Sequence, residues 1–358
     1  MPVSPFDHPV LSGLFGDRDA EHAFSFDVEM AAMLAFEQAL ADAEAREGVI
    51  PEASAKMIAA AVAKFEPDVP ALRAGAARDG VIVPELVRQL RAAVGDPHGA
   101  DLHFGVTSQD VLDTALALRL IPLLDAFALR LDALIVALDA LLARDGHIAV
   151  MAHTRMQQAI MVTAARKIES WRGPLLRHRT RLDAVRADIA LLHLGGAAGT
   201  LDKLGDKGPI IAAHMAETLG LQAIDHPRHS ERDGEAALAG WLSLVNGSLG
   251  KMGQDIVLGA QNEIGEIKLA TGGGSSAMPH KVNPVGAEML VTLARFNAGL
   301  LATMHQGLVH ENERSGAAWT LEWMVLPQMC AVTGAALRLA HDLVATISFT
   351  ETGGGARR

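Results

Sequence analysis

The chain of 358 residues contains one cysteine, no tyrosine and few aromatic side chains, which make up 4% of its residues. The single cysteine, Cys330, excludes an internal disulfide and any zinc or iron–sulfur site that needs several cysteines. The lack of tyrosine excludes a phenolic acid or base. Any acid–base chemistry must therefore come from other side chains.

Positive charge is also scarce, since 31 Lys and Arg stand against 42 Asp and Glu for a net charge of −11. Proteins that bind nucleic-acid phosphates are usually basic, so we predict no nucleic-acid partner, although a few local cations can still hold a small anion. No run reaches the roughly 18 apolar residues of a membrane helix, and residues 1–13 lack the features of a secretory signal. We therefore expect a cytoplasmic protein without a membrane partner.

Motifs for metals and nucleotides are weak. His310-Glu311 is not followed by the second histidine of a helical zinc site, and His226 and His229 are separated by a proline. Residues 195–199, GGAAG, follow a predicted helix and not the strand that a dinucleotide site requires. The sequence predicts neither a metal nor a cofactor.

Apolar residues, by contrast, make up half of the chain and recur at helical spacing. In residues 110–143 two rows repeat every seven residues: Leu120, Phe127, Leu134 and Leu141, and Leu124, Leu131 and Leu138. In residues 158–194 the corresponding rows are Ile168, Leu175, Leu182 and Ile189, and Trp171, Val185 and Leu192. Core packing explains any one of these residues, but together the rows predict very long helices in an antiparallel bundle.

Further apolar helices are predicted at residues 235–269 and 285–306, and no strand-like alternation of useful length is found. The fold class is therefore all-α. Helices of about 35 residues are about 50 Å long and exceed what one small domain can cover, so we expect a homo-oligomer. We divide the chain into an N-terminal helical domain at 1–105, a central long-helix domain at 106–342 and a short tail at 343–358.

Residues 271–284, TGGGSSAMPHKVNP, form a segment that we call the signature loop. Its three glycines free backbone N–H groups for an anion. Lys281 and Asn283 follow two serines, and Pro284 opens the next helix. A hydroxyl, a cation and an amide close together suit the capture of a carboxylate and the stabilisation of an enolate-like charge. A flexible linker is the alternative interpretation.

The signature loop resembles that of the fumarase/aspartase superfamily, because GSSAMPHKVN at 274–283 has Ser, Met-Pro, Lys and Asn at the family's spacing. Residues 103–110, HFGVTSQD, resemble the first substrate-binding region of that superfamily, and residues 153–159, HTRMQQA, resemble the second. Residues 195–200 resemble the glycine turn after its second long helix. The resemblance covers about residues 10–345.

Within the superfamily the chain is most similar to the family of bacterial 3-carboxy-cis,cis-muconate cycloisomerases, through residues 33–40, 48–51, 85–91, 313–319 and 322–323. The resemblance implies a helical homotetramer with a multi-helix core and active sites shared between subunits. It implies a small tricarboxylate substrate, closed to a carboxymuconolactone in the protocatechuate branch of the β-ketoadipate pathway. Two features depart from the family: the C-terminal helical domain of many members is largely missing, and Arg155 stands where most lyase relatives have a histidine acid.

The resemblance also implies roles for individual residues. Ser275 would move the carbon-bound proton, while Lys281 and Asn283 would hold the carboxylate that accepts charge. The implied substrate-binding residues are His103, Thr107, Ser108, Gln109, Thr154, Arg155, Gln157, Ser276, Met278, Arg314 and Ser315.

Several of these residues have a structural alternative. His103 can be a satisfied structural histidine, Ser276 a loop residue and Arg155 the partner of a nearby acid. Asp110 is expected to cap the helix that follows it. His229 and Arg232 are weaker candidates, with a place in a surface loop as the alternative.

Two other functions stay open at this point. One is a different superfamily lyase, such as an adenylosuccinate lyase-like enzyme that releases fumarate. Arg155 speaks against it, because a guanidinium cannot donate a proton near neutrality and a basic amine leaving group needs an acid. The other is a helical oligomer without catalysis, which the complete set of Ser275, Lys281 and Asn283 speaks against.

Overall fold

A computed structural model describes residues 4–270, 272–274, 277–278 and 281–351. The N-terminal part consists of short helices, α1 (Ser12–Phe15), α2 (Arg18–Ala23), α3 (Phe26–Arg46), α4 (Glu52–Val62), α5 (Val69–Asp79) and α6 (Val83–Val94). A 3₁₀ turn at His98–Asp101 leads into the 38-residue helix α7 (Ser108–Asp145). Helices α3 to α6 pack around an apolar cluster that includes Phe36, Ile58 and Leu86.

The described residues form five further α-helices: α8 (Ala164–Ile189), α9 (Gly208–Leu219), α10 (Asp233–Gly259), α11 (Val285–Gln306) and α12 (Gly316–Thr346). Helices α7, α8, α10, α11 and α12 pack against one another as the bundle. All residues of the predicted seven-residue rows are buried. The prediction of a long-helix bundle is therefore confirmed.

The prediction that strands are absent is wrong for two short antiparallel sheets. Strands β1 (Ala149–Thr154) and β2 (Gln157–Thr163) form a hairpin, so the second long helix begins at Ala164 and not near residue 158. The hairpin turn has Arg155 and Met156 at φ values of 49° and 65°. These are not the Asn-Gly or Asp-Gly residues that usually mark such a turn, which is why the sequence pattern missed it.

The helix predicted at 235–269 also ends earlier than expected. Helix α10 stops at Gly259, and Gly265 adopts a φ of 60° in the loop that follows. Strand β3 (Ile267–Leu269) then pairs with β4 (Ile347–Phe349), directly after α12. Pairing with a strand from the end of the chain thus overrides the local helical pattern of these apolar residues.

Among the residues that the structure describes, two helices, α11 and α12, are long and apolar enough to cross a membrane. The apolar stretch of α12 is 61% buried in the bundle, as expected of a core helix, whereas that of α11 is only 22% buried. Large apolar side chains are exposed on several bundle helices, including Leu129 and Val136 on α7, Leu244 on α10 and Phe296 on α11. One chain therefore leaves much of its bundle surface uncovered.

Candidate active site

The buried carboxylate of Asp110 organises the beginning of α7. It accepts hydrogen bonds from the backbone N–H groups of Thr107 (2.9 Å), Gly195 (2.7 Å) and Gly196 (3.0 Å), and from Nε2 of His229 (2.7 Å). Thr107 and Asp110 form a capping box at the helix N-terminus, so the predicted capping role of Asp110 is confirmed. The carboxylate also draws the glycine turn onto the start of the helix.

Gln109 and Arg314 connect the beginning of α7 to the loop before α12. The fully buried amide of Gln109 donates from Nε2 to Asp113 Oδ2 (3.0 Å) and to the carbonyl of His229 (2.8 Å). Its Oε1 accepts from Nε of Arg314 (2.8 Å). Both N–H groups of Gln109 therefore donate hydrogen bonds within the chain. The guanidinium of Arg314, which Gln109 holds, is half-buried.

His229 lies between Asp110 and Arg314 and is buried, not placed on a surface loop. Nη2 of Arg314 lies 3.3 Å from its Nδ1. Since a guanidinium can only donate, Nδ1 accepts and Nε2 carries the proton that is donated to Asp110. The carboxylate and Arg314 thereby fix the orientation of this ring.

Arg232 is also buried and forms the centre of an ionic cluster, which Asp113 connects to Gln109. Its guanidinium bonds Asp113 at 2.7 Å, Glu322 at 2.6 Å and Glu235 at 3.0 Å. The indole N–H of Trp319 donates to Asp113 at 3.0 Å. No sequence signal pointed to this cluster beyond the position of Asp113 four residues after Gln109, on the same face of a helix.

Two of the carboxylates around Arg232, Asp113 and Glu235, differ in their response to pH. Burial opposes the charge of Asp113, but the charge of the Arg232 guanidinium, together with His193 and the hydrogen bonds from Trp319 and Arg232, outweighs burial and holds the pKa of Asp113 below its usual value. Burial, together with the charges of Glu322 and Asp113, outweighs the same guanidinium at Glu235 and raises its pKa to about 7. Glu235, unlike Asp113, therefore takes up a proton near neutral pH.

His103 lies in the loop between the 3₁₀ turn and α7, close to the start of the helix. Its Nδ1 is 2.6 Å from Oε1 of Glu37 on α3, and its side chain is 14% exposed. The structure thus gives His103 a buried carboxylate partner that the sequence did not reveal. The predicted contact between His103 and substrate stays a prediction.

Ser108 is the first residue of α7 and is half-buried. Ser315 caps α12 by accepting a hydrogen bond from the backbone N–H of Ala318 at 3.2 Å. The structure therefore brings the first predicted region, with Thr107, Ser108 and Gln109, together with Arg314 and Ser315. All of these lie where α7 and α12 begin.

Thr154, Arg155 and Gln157 lie at the exposed tip of the β1–β2 hairpin, where Thr154 pairs with Gln157. The hairpin starts four residues after the last residue of α7, and a helix of 38 residues is about 57 Å long. A strand of six residues spans only about 20 Å. The hairpin therefore cannot reach the beginning of α7 within one chain.

The residue that precedes the signature loop, Ala270, lies at that same far end. Ala270 donates to the carbonyl of Thr346, the last residue of α12, and Phe349 donates to Asp145, the last residue of α7. Helix α12 has 31 residues and is about 46 Å long, which separates the signature loop from Arg314 by a similar distance. The predicted regions thus occupy two opposite ends of the bundle.

Within the described part of the signature loop, Gly273 and Asn283 exchange two backbone hydrogen bonds of 2.9 Å. The side chains of Met278 and Lys281 are exposed, and Asn283 is half-buried. Ser275 and Ser276 lie outside the described residues, so their predicted roles stay predictions. Helix α11 begins immediately after Pro284, as predicted.

Comparison with known proteins places the chain among lyases, whose family model matches residues 7–297. The 3-carboxy-cis,cis-muconate cycloisomerase of Pseudomonas aeruginosa is 38% identical over 90% of this chain and 71% of its own length. The enzyme of the same name from Bradyrhizobium diazoefficiens is 39% identical over 87% of this chain and 70% of its own length.

A solved structure agrees with these sequence relatives. The crystal structure of 3-carboxy-cis,cis-muconate lactonizing enzyme from Pseudomonas putida superposes with a TM-score of 0.88 at 35% identity. The match covers 95% of this chain and 77% of that one. The similarity therefore extends over the bundle and over both of its ends.

We expect Glu235→Gln to be more stable than the wild type at about pH 8. Because the folded state raises the pKa of Glu235 from 4.5 to about 7, its effect on stability becomes progressively less favourable as pH rises between those values. Glutamine does not titrate, so the variant should gain at least about 1 kcal/mol above pH 7, since one pKa unit corresponds to about 1.4 kcal/mol. Urea unfolding at about pH 5 and pH 8, at one protein concentration, measures this difference.

Asp113→Asn is the matched control, because the pKa of Asp113 is lowered and its charge stabilises the folded state. That variant should lose stability at about pH 8. A Glu235→Gln variant less stable than the wild type at this pH would show that the charge of Glu235 stabilises the folded state, which contradicts a raised pKa.

Proposed function

This chain belongs to the lyase family, and we propose that it is a cycloisomerase that converts 3-carboxy-cis,cis-muconate to a carboxymuconolactone. The observation that carries the proposal is the similarity over about nine tenths of the chain to two bacterial enzymes of that name. The arginine at position 155 of this chain supports the same reaction on chemical grounds. The proposal includes a role in the protocatechuate branch of the β-ketoadipate pathway.

The reaction is an intramolecular addition. One carboxylate oxygen of the substrate attacks a double-bond carbon, and a new C–O bond closes the lactone. The electron pair of the double bond moves to the neighbouring carbon and into the adjacent carboxylate, which forms an aci-carboxylate. A proton then adds to that carbon, so one proton is consumed as the tricarboxylate becomes a dicarboxylate lactone.

Ser275, Lys281 and Asn283 supply the proton and stabilise the charge in this proposal. Ser275 donates its hydroxyl proton to the carbon and recovers one from solvent. Lys281 and Asn283 bind the carboxylate on which negative charge accumulates, and the N–H groups of the glycine-rich loop add to that stabilisation. Because this charge develops only as the lactone closes, these contacts stabilise the transition state more than the bound substrate and thereby accelerate the reaction.

The beginning of α7 binds the remaining carboxylates. Arg314, held by Gln109 and His229, presents a guanidinium suited to a carboxylate, and Thr107 and Ser108 add hydroxyl groups at a helix N-terminus. Gln109 acts in this scheme by positioning Arg314, since both of its N–H groups already bond within the chain. Ser276, Met278 and Ser315 line the same site in the proposal.

Sites of this kind need several copies of the chain, and we propose a homotetramer. The two ends of the bundle are about 46 to 57 Å apart within one chain, as the lengths of α12 and α7 require. Antiparallel packing of neighbouring copies would bring the signature loop and the hairpin of other chains to the beginning of α7. The exposed apolar residues of α7, α10 and α11 give this packing a surface, and a cytoplasmic location fits the metabolic role.

Arg155 orients the attacking carboxylate. A carboxylate with a pKa near 4 needs no proton transfer to attack or to leave, so a fixed cation serves better than an acid at this position. Arginine binds a carboxylate through two parallel N–H groups and can thereby aim one oxygen at the double bond. A lyase that expels an amine would need a proton donor here instead.

The experiment that tests the function is a spectrophotometric assay with 3-carboxy-cis,cis-muconate, in which closure of the lactone removes the ultraviolet absorbance of the conjugated diene. We expect turnover by the wild type and a loss of at least about 100-fold in kcat for Ser275→Ala with the fold intact. A loss of tenfold or less would show that another group moves the proton. Absence of turnover by the wild type would refute the proposed function.

The role of Arg155 is tested by comparing Arg155→Ala with Arg155→Lys in the same assay. We expect the alanine variant to bind substrate more weakly and to cyclise it more slowly, whereas lysine keeps the charge and part of both properties. Wild-type kcat/KM in Arg155→Ala would contradict the orienting role. Efficient cleavage of adenylosuccinate or argininosuccinate by the native protein would contradict the leaving-group argument itself.

A further inference from the structure

A buried carboxylate on α3 contacts the histidine of the first substrate-binding region. Glu37 is 1% exposed, and its Oε1 lies 2.6 Å from Nδ1 of His103. The contact joins residues that are 66 positions apart in the sequence and belong to different elements, so local chain geometry does not impose it. Its second oxygen, Oε2, is buried and has no hydrogen-bond partner among the described residues.

The backbone at His103 has a φ of 60°, in the left-handed region that is unfavourable for most residues other than glycine. Strain of this kind persists only where the surroundings hold the residue in place. The bond from Nδ1 to Glu37 is one such constraint. Since Nδ1 and Nε2 lie on opposite edges of the ring, Nε2 is on the edge that faces away from Glu37.

The charged groups that act on His103 come from three helices, namely Glu37 on α3, Asp110 on α7 and Arg91 on α6. Burial of the ring lowers its pKa, but the charge of Glu37 and its hydrogen bond, with Asp110, outweigh burial and the repulsion by Arg91. The pKa of His103 is consequently raised above its usual value of 6.5. The surroundings therefore favour a charged ring with N–H groups on both edges.

We infer that Glu37 is a positioning residue, which holds His103 as a cation so that its Nε2–H group binds a carboxylate of the substrate. The inference rests on the proposed function, because it assigns the binding partner of His103 within that site. Glu37 itself does not touch substrate. It supplies the tautomer, the orientation and the charge of the ring.

The chain offers a matched control on the same helix. Glu44 lies seven residues after Glu37, is fully buried and has no hydrogen-bond partner for either oxygen among the described residues. Burial, together with the charges of Glu37 and Asp101, raises the pKa of Glu44 to about 9, so its carboxyl group is neutral at neutral pH. Glu44→Gln therefore keeps size and charge, whereas Glu37→Gln removes the charge beside His103.

The experiment compares kcat/KM for 3-carboxy-cis,cis-muconate between about pH 6 and pH 9 in the wild type, Glu37→Gln and Glu44→Gln. Below the pKa of His103 the ring is charged, and the contribution of its charge is lost as pH rises through that pKa. We expect Glu37→Gln to lose the contribution of the His103 charge at a lower pH than the wild type does. At a pH between the pKa values of His103 in the two proteins, the kcat/KM of Glu37→Gln should be about 10- to 100-fold below that of the wild type, mainly through KM. Losses of this size are typical when a partner that orients a metal-ligating histidine is removed.

A second measurement does not depend on turnover. NMR of side-chain-labelled histidine gives the pKa of His103 directly, with the resonance assigned by its loss in His103→Gln. We expect a value above 6.5 in the wild type and in Glu44→Gln, and a lower value in Glu37→Gln.

The inference is overturned if Glu37→Gln has the pH profile of the wild type, or if His103 of the native protein titrates at or below 6.5. The second criterion applies even if Glu37→Gln does not fold. A native protein that is inactive on 3-carboxy-cis,cis-muconate and has a raised pKa at His103 would refute the proposed function and the carboxylate contact, but would leave the Glu37–His103 pair established.

Discussion

The beginning of α7 depends on one buried carboxylate. Asp110 is fully buried and accepts four hydrogen bonds, three from backbone N–H groups and one from His229. Without it, the helix N-terminus, the glycine turn and the histidine would each keep an unpaired buried donor, and each such group costs about 1–3 kcal/mol. The carboxylate of Asp110 thus holds together the beginning of α7, the glycine turn and His229, beside which Gln109 and Arg314 are arranged.

The second constraint is length. Helices α7 and α12 run the whole bundle in one piece each, so residues at their two ends stay about 46 to 57 Å apart within a chain. The beginning of α7 has cations and hydroxyl groups suited to carboxylates, whereas the hairpin and the signature loop lie at the far end. A site that uses all three regions must be assembled between copies.

The sequence predicts those features that repeat or that match a known pattern. Rows such as Leu124, Leu131 and Leu138 identify a long buried helix, because apolar residues spaced by seven return to the same face of a helix. The capping role of Asp110 follows from its place three residues after Thr107. The hairpin was missed because Arg155 and Met156 are unusual in its turn, and the end of α10 was missed because β3 pairs with a distant strand.

Contacts between distant residues leave no local signal. Arg232 has the sequence surroundings of a loop residue, yet it is buried among Asp113, Glu235 and Glu322, which come from three places in the chain. Glu37 resembles any other polar residue of an alanine-rich helix, yet it faces His103. Only the tertiary fold shows which charges are paired, and therefore which histidines and carboxylates have altered proton affinity.

The central claim, that one active site draws on several chains, is tested most directly by complementation. Arg314→Ala and Ser275→Ala chains are co-expressed with different tags, and the mixed oligomers are purified through both tags. Arg314 precedes α12, whereas the segment that leads into the signature loop pairs with the end of that helix. If Arg314 and Ser275 of a site therefore come from different chains, random mixing leaves about one quarter of the sites with both residues intact. The account predicts activity well above that of either variant alone, whereas mixed oligomers no more active than the two variants would contradict it.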